Sequence, residues 1–547
     1  MELEEETAVL AKGTVWQNLG SIALKATSFI YTILIARFVS QEDVGLFYFA
    51  LGIVGVISIF GDLGLSQTLQ RYVPYYMGKK DKVSASRILA LAIFASTALV
   101  VAVAAITFLL SDSIAGAFEN PRLAMLLEFF AIYLVINQVS NICQATLVAF
   151  KKMKERAIGN NVQNALKLAL TAALVFLLGP SAKIMAVAFI LSFAAGSFYL
   201  LRELHRVLTQ NRLAPIKGVK WCLPLLREIL PFGITVVSIA GFSIIMSYAD
   251  RAILGFLLKE DANVQIAIYA LASSLASLAV IFSGSISAIL LPVASGLAGE
   301  QNLPKMLKAA STSLRWGLFL SIPFVAFLMA FSAPMLRVLY GAAYEPGAMT
   351  LALFAMGYLF SLLGTVQGTM LAAHRLVKIE LFAFIIAAMA NVLLNVLLIP
   401  PFGISGSAFA IMASFAIIFG INHHFVRLKF GFHMPAGTWK NVAAGVLVFA
   451  FLFALQSMSY GFISALAFQF NTEATIAIFA DKILKLAVLG VFLFAGCLIY
   501  LALLNLMRLF EKEDRAVFEK LMAYSPVPEG IRSRISSIVF WSLNASR

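Results

Sequence analysis

Lys25 and Lys167 have the surroundings that most demand a chemical explanation. Each sits at the middle of a long apolar run. Asn18, Ser21, Ser28 and Thr32 lie at −7, −4, +3 and +7 from Lys25. At about 100° per residue these positions share one narrow helical face. Asn160, Asn164 and Thr171 lie at −7, −3 and +4 from Lys167, again on one face. A third polar stripe carries Asn137, Ser140, Asn141 and Gln144. A charge at mid-membrane costs on the order of 2.5–3.5 kcal/mol or more, so it faces a cavity or a partner. No acid sits at comparable depth. Two readings stay open. The ammonium groups are held by helix carbonyls or reach the headgroups along their stems, or they floor a water-filled cavity. A positive floor suits an anionic group, most naturally a phosphate or pyrophosphate. Lys25, Lys167, Asn18, Asn141 and Asn164 are then the substrate-binding candidates.

Arg251 is a further cationic candidate, in the outer part of another apolar run beside Asp250. Neighbours in sequence cannot pair face to face on a helix. Asp62, Glu128 and Asp250 are candidate coupling or structural acids, with Asp62 and Glu128 read as helix-end or tight-turn groups. His205, His374, His423, His424 and His433 all fall on the inner side. Their spacing matches no metal-ligand pattern, and a His proton relay within the membrane is not expected. Cys143, Cys222 and Cys497 are scattered without redox or metal spacing. No P-loop is present, so ATP hydrolysis is not expected. The expectation is a protein that is not an enzyme and holds no cofactor, with coupling to a cation gradient a candidate property.

Helices must position these groups. The chain has 547 residues, of which 61% are hydrophobic and 12% charged, with a mean hydropathy of +0.92. An ordinary soluble domain is about 25% charged, so composition points to an all-α polytopic membrane protein. The acidic start, Glu2 to Glu6, argues against a secretory signal. A crossing helix needs about 20 apolar residues. Fourteen runs meet that: 13–38, 44–61, 84–110, 123–150, 157–178, 184–204, 229–257, 264–290, 311–331, 348–373, 379–399, 403–426, 441–460 and 483–507. A β-barrel would show alternating segments of about ten residues instead.

The basic residues set orientation. With a cytoplasmic start, 31 of the 41 Lys and Arg fall on the inner side and 7 on the outer. That is the positive-inside pattern of a multi-pass cell-membrane protein with both ends cytoplasmic. It accounts for most of the +14 net charge, which is therefore no argument for nucleic acid.

The expected organisation is a six-helix lobe over 1–204 and a cytoplasmic linker over 205–228. A second six-helix lobe follows over 229–426, then two additional spans over 441–507 and an amphipathic cytoplasmic tail over 508–547. Short similarities suggest that the lobes repeat. Arg37 through Gln41-Glu42-Asp43 to Tyr48-Phe49-Ala50-Leu51 parallels Arg251 through Lys259-Glu260-Asp261 to Tyr269-Ala270-Leu271. Repeated halves with a site between them are a transporter pattern. In the tail, Leu509, Phe510, Val517, Phe518 and Leu521 form an apolar stripe, with a second patch from Ile535 to Trp541.

The segment Arg37-Phe38-Val39-Ser40-Gln41-Glu42-Asp43-Val44-Gly45-Leu46-Phe47, with Asp62-Leu63-Gly64-Leu65 and Arg71-Tyr72, resembles the opening of polysaccharide-biosynthesis flippases. These belong to the multidrug, oligosaccharidyl-lipid and polysaccharide (MOP) exporter superfamily. Ala249-Asp250-Arg251 with Leu254-Gly255 resembles the family's seventh span. Asn391 to Pro400 and Phe402 to Ala408 resemble its corner between spans eleven and twelve. The resemblance implies a V-shaped pair of lobes with alternating access. It also implies a lipid-linked oligosaccharide as substrate, moved from the inner to the outer leaflet, with the bilayer and glycan-assembly enzymes as partners. Lys25, Lys167 and Arg251 would take the cationic part. The drug-exporting branch uses membrane acids for cation coupling, so a cation-coupled drug or metabolite exporter is the alternative. A membrane glycosyltransferase would need a longer outer loop than any here.

Overall fold

In the computed structural model, the described residues are 2–211, 213, 223–435, 437–466, 475–510, 515, 519 and 529–541. Side chains are not described at 2–15, 17–19, 223–237 and 459–483, nor at a few isolated positions. The Asn18 side chain, residues 212 and 214–222 of the linker (Cys222 among them) and the tail positions Val517, Phe518 and Leu521 therefore lie outside what is described.

The described chain is almost wholly helical. The first half comprises α1 (Glu2–Phe38), α2 (Gln41–Ile57), α3 (Ile59–Asp62), α4 (Leu65–Gly78), α5 (Lys82–Leu109), α6 (Ser111–Ala117), α7 (Arg122–Ala149), α8 (Met153–Leu178) and α9 (Ala182–Gln210). The second comprises α10 (Leu223–Leu258), α11 (Ala262–Ala276), α12 (Val280–Gly299), α13 (Leu303–Ala330), α14 (Ser332–Leu339), α15 (Ala348–Ala373) and α16 (Val377–Phe430). Then come α17 (Gly437–Leu466), α18 (Thr475–Leu506) and α19 (Glu529–Val539). Polar N-caps start several of these helices. Ser40 accepts from Asp43 N, Asp81 from Ser84 N, Ser181 from Ile184 N and Asn302 from Lys305 N.

Among the described residues, 13 helices are long and apolar enough to cross a membrane. One of them, α16, is 54 residues long, and its backbone leaves helical geometry at Gly403 (φ 55°, ψ −136°). Glycine tolerates that conformation, and Pro400 and Pro401 just before it remove two backbone donors. The helix folds back there. A Cβ on Gly406 would overlap the Leu398 carbonyl, whereas eight residues of straight helix span about 12 Å. The two arms correspond to runs eleven and twelve, so the helix set is consistent with the fourteen runs.

The second run differs from a simple span. It breaks at Ser58, and α3 ends in two left-handed residues, Leu63 (φ 39°) and Gly64 (φ 77°). The chain then continues helical to Gly78. The eighth run breaks comparably, with a 3-10 turn at Ser277–Ala279 between α11 and α12. Short helices after the third and ninth runs, α6 and α14, match as well. Packing follows the same scheme in both halves. In the first, α1 lies on α8, α2 on α7, α5 on α7 and α7 on α9. In the second, α10 lies on α16, α11 on α15, α13 on α15 and α15 on α16. These parallels are consistent with a repeated lobe.

The largest core cluster joins the halves, bringing Leu46, Phe47 and Phe49 of α2 together with Tyr269 and Leu271 of α11. Outward apolar side chains such as Leu177 (78% exposed) and Phe198 (72%) would be costly in water and suit lipid. The tail packs on the bundle. Phe510, Val539 and Phe540 are buried against α13, α17 and α18, and Asn505 Nδ2 donates to Val539 O at 2.9 Å. Glu519 accepts from Arg515 Nε and Ser536 Oγ, each at 2.8 Å. These two donors hold its carboxyl below the usual range.

Candidate functional site

The polar faces around Lys25 and Lys167 meet along the α1–α8 seam. Ser28 Oγ donates to Asn164 Oδ1 at 3.3 Å. Asn161 Nδ2 donates to the Gly20 carbonyl at 3.1 Å. The Lys167 ammonium lies 4.5 Å from the centre of the Tyr31 ring, a cation–π contact. Lys25 points toward the other half, where its Nζ donates to Ser277 Oγ at 3.4 Å, in the break between α11 and α12. Neither lysine has an acidic partner among the described residues.

The halves are bolted together at the end of the bundle that carries Arg37. Arg37 donates through Nε to Leu339 O at 2.8 Å and through Nη2 to the Val338 and Arg337 carbonyls. Gln41 Nε2 donates to Ala343 O at 2.7 Å, and Thr32 Oγ1 pairs with Tyr340 OH at 3.2 Å. Asn120 Nδ2 donates to Asn263 Oδ1 at 3.1 Å, and Lys259 pairs with Glu119 at 3.0 Å. At Gly45 the two backbones touch so closely that a Cβ would overlap the Asn263 carbonyl. The sequence reading placed Arg37 in a motif but did not foresee this clamp, because its acceptors are main-chain carbonyls some 300 residues away.

Asp250 is buried, 3% exposed. Its Oδ1 accepts from the Arg251 backbone N at 2.8 Å, and its Oδ2 accepts from the Tyr269 hydroxyl. Ser407 Oγ then donates to that hydroxyl at 3.2 Å. The carboxyl is thus held by α10, α11 and α16. The Arg251 guanidinium lies over the Tyr48 and Tyr248 rings, 5.6 and 5.5 Å from their centres. It therefore sits in the α2–α10 contact, where Gly52 and Gly55 let the helices close, and it shares no contact with Lys25 or Lys167. Sequence reasoning missed Tyr269 and Ser407. Glu128 is half-buried with no hydrogen bond or ion pair among the described residues, and it joins none of these groups.

Asp62 and Asn141 fall together elsewhere. They line a cavity of about 240 Å³ between the α3–α4 turn, α7, the start of α8 and α10. Asp62 Oδ1 accepts from Ser66 N at 3.3 Å, Ser66 Oγ at 2.6 Å and Gln138 Nε2 at 2.7 Å. Asp62 is therefore the tight-turn group expected, and it also faces open space. Arg156, counted only as a flanking cation in the sequence, reaches the same cavity. Of the candidates, the structure pairs Asn164 with the Lys25 face, places Asn141 with Asp62, and leaves the Asn18 side chain undescribed.

Residues 10–297 match the family model described as "Polysaccharide biosynthesis protein". Among curated proteins, the chain is 22% identical over 447 residues to the "probable low-salt glycan biosynthesis flippase Agl15" of Haloferax volcanii. That match covers 80% of this chain and 89% of the relative. It is 21% identical over 426 residues to the "uncharacterized membrane protein MJ1068" of Methanocaldococcus jannaschii, covering 74% and 82%. Among solved structures, the lipid II flippase MurJ in an inward closed conformation aligns at a TM-score of 0.66 and 17% identity, covering 89% of this chain and 98% of that one. An inward-facing multidrug resistance MATE transporter of the MOP superfamily aligns at 0.62 and 14%, covering 75% and 94%. At such identities the likeness shows the fold: an all-helical polytopic membrane architecture shared with both.

Proposed function

Since the chain belongs to the polysaccharide biosynthesis protein family, we propose that it is a membrane flippase for a lipid-linked oligosaccharide. One observation carries the reading: two lysines without acidic partners lie on meeting polar faces midway along membrane-spanning helices. Such cations attract a phosphate or pyrophosphate into the protein while the lipid tail stays in the bilayer. At an effective dielectric of about 20, one ammonium–phosphate contact at 4 Å contributes about 4 kcal/mol before desolvation. The names of the Haloferax relative and of the MurJ structure support a lipid-linked glycan as cargo.

In this reading the Arg37 end is the outer face, and the halves 1–204 and 229–426 are lobes that rock against each other. The Arg37 clamp holds the outer side shut in this structure. Breaking the clamp lets the lobes open outward and frees Arg251 from its tyrosines to meet the departing anion. Both ends of the chain lie in the cytoplasm, as the basic residues suggest. Asp250, held by Tyr269 and Ser407 where α10, α11 and α16 meet, is the candidate acid for coupling to a cation gradient. The same carboxyl favours the second reading, a cation-coupled drug or metabolite exporter. The two readings separate in a leaflet-accessibility assay of labelled lipid-linked oligosaccharide in cells lacking the protein. Substrate trapped on the inner leaflet, released by the wild-type gene, supports the flippase. Unchanged sidedness contradicts it.

A further inference from the structure

The Asp62 cavity has polar groups that the fold leaves unused. Asn137 and Asn141, one helical turn apart on α7, line it and make no hydrogen bond among the described residues. Gln67 Oε1 is buried there without a partner. Asp62 spends only Oδ1, on Ser66 and Gln138. Arg156 spends only Nε, in a long 3.4 Å bond to Gln144 Oε1, and has no acidic partner among the described residues. Buried polar groups without partners are costly. Gln67 Oε1 is such a group, and with the half-buried Asn137, Asn141, Asp62 and Arg156 facing the same space it marks a site suited to a polar occupant.

The chemistry of the set identifies the occupant. Among the described residues, the charged side chains lining the cavity are one carboxylate, Asp62, and one guanidinium, Arg156, whose charges offset each other. A phosphate would gain little there beyond what the lysines offer. Each side-chain amide presents both an acceptor and donors, and a sugar hydroxyl is likewise both donor and acceptor. No aromatic ring lines the cavity among the described residues, so recognition runs through hydroxyl edges rather than ring faces. We infer that this cavity is the subsite for a neutral, hydroxyl-rich sugar of the lipid-linked glycan, with Asn137, Asn141, Gln67, Asp62 and Arg156 as its ligating groups. The inference rests on the flippase reading and deepens it.

Position supports the assignment. Arg156 and Lys167 lie on the same helix, about 16 Å apart along its axis. The two regions therefore hold different parts of one molecule, phosphate at the lysines and sugar at the cavity. Gln138 also lines the cavity, and it positions Asp62 by donating to its Oδ1. The far wall is Ala240, Gly241 and Ile244 of α10, so the subsite is complete only while the two halves are in contact on this side.

The test uses the purified full-length protein in lipid nanodiscs and two probes. One is a polyprenyl pyrophosphate; the other is the same lipid carrying a neutral hexose trisaccharide. Wild-type protein should bind the glycan lipid about tenfold more tightly, the scale of one or two hydrogen bonds. The Asn137→Leu, Asn141→Leu double variant should bind both lipids alike. Asn137→Ser, Asn141→Ser, a smaller change, provides the same reading if the leucines impair folding. Equal binding of both lipids by the wild type, or a preference that survives both double variants, overturns the subsite and leaves the flippase reading standing. Failure of the wild type to bind either lipid removes both. Free trisaccharide should not displace the glycan lipid, and displacement would overturn the lipid-linked source.

Discussion

The α1–α8 seam of the first half and the α10–α16 seam of the second occupy matching places in the packing, yet their polar groups are used differently. Lys25 makes one long bond to Ser277, and Lys167 rests on an aromatic face. Asp250 has both carboxylate oxygens engaged, and its tyrosine partner is itself held by Ser407. One scaffold thus carries cations without an acidic partner among the described residues and an acid whose two oxygens are both engaged. A satisfied buried polar group contributes to the stability of the fold, whereas one left unsatisfied costs stability.

The contrast breaks most visibly in stability. Asp250→Ala leaves the Tyr269 hydroxyl and the Arg251 amide without their acceptor, and should cost about 2–3 kcal/mol. Lys25→Met loses one weak bond and a buried charge, and should change stability by less than about 1 kcal/mol. Thermal unfolding of the purified variants in detergent measures both. Equal losses would show that Lys25 is as structural as Asp250.

A smaller effect is expected at the joint between the halves. Arg37→Ala removes the clamp on the 337–339 carbonyls, bonds worth about 1.5–3 kcal/mol to a charged donor, partly compensated by water at that end. The lobes should then separate there more often. Disulfide trapping between Gln41→Cys and Ala343→Cys should fall about tenfold in rate relative to the same pair with Arg37 intact. An unchanged rate would mean that the Gly45–Asn263 contact alone closes this end.

Much of this was legible in the sequence, and the reasons are specific. The spans were visible because lipid demands long apolar runs. The corner between runs eleven and twelve was visible only by resemblance, over Asn391 to Pro400 and Phe402 to Ala408; the chain turns there because Pro400 and Pro401 remove donors and Gly403 takes a positive φ. The Lys25 and Lys167 faces were visible because helical spacing fixes which residues share a side. What was not legible depends on contacts between distant segments. Tyr269 looks like one more apolar-run aromatic until it meets Asp250, and Arg156 looks like a flanking cation until α3, α7 and α10 close a cavity around it. Arg251 read as a cavity cation, but its position against Tyr48 and Tyr248 depends on how α2 and α10 pack.

The smallest effect concerns the tail. The Glu519 carboxyl lies below its ordinary range because Arg515 and Ser536 donate to it. The stabilisation it lends the tail is therefore present above the unfolded glutamate pKa, and is lost as pH falls through the lowered folded value. Amide exchange in α19 should be unchanged at neutral pH and rise only in acid below the ordinary glutamate range. Glu519→Gln should abolish that acid dependence. A rise already present near neutrality would contradict the assignment.

The central claim is that the two mid-membrane cations receive the phosphate. Its most direct measurement is flipping of a fluorescent polyprenyl-pyrophosphate-linked oligosaccharide by the full-length protein in proteoliposomes, comparing wild type with the Lys25→Ala, Lys167→Ala double variant at equal reconstituted amounts. The account predicts that the double variant is folded and inserted but flips at least tenfold more slowly, and that Lys25→Arg, Lys167→Arg restores part of the rate. Flipping by the alanine double variant at the wild-type rate would contradict it.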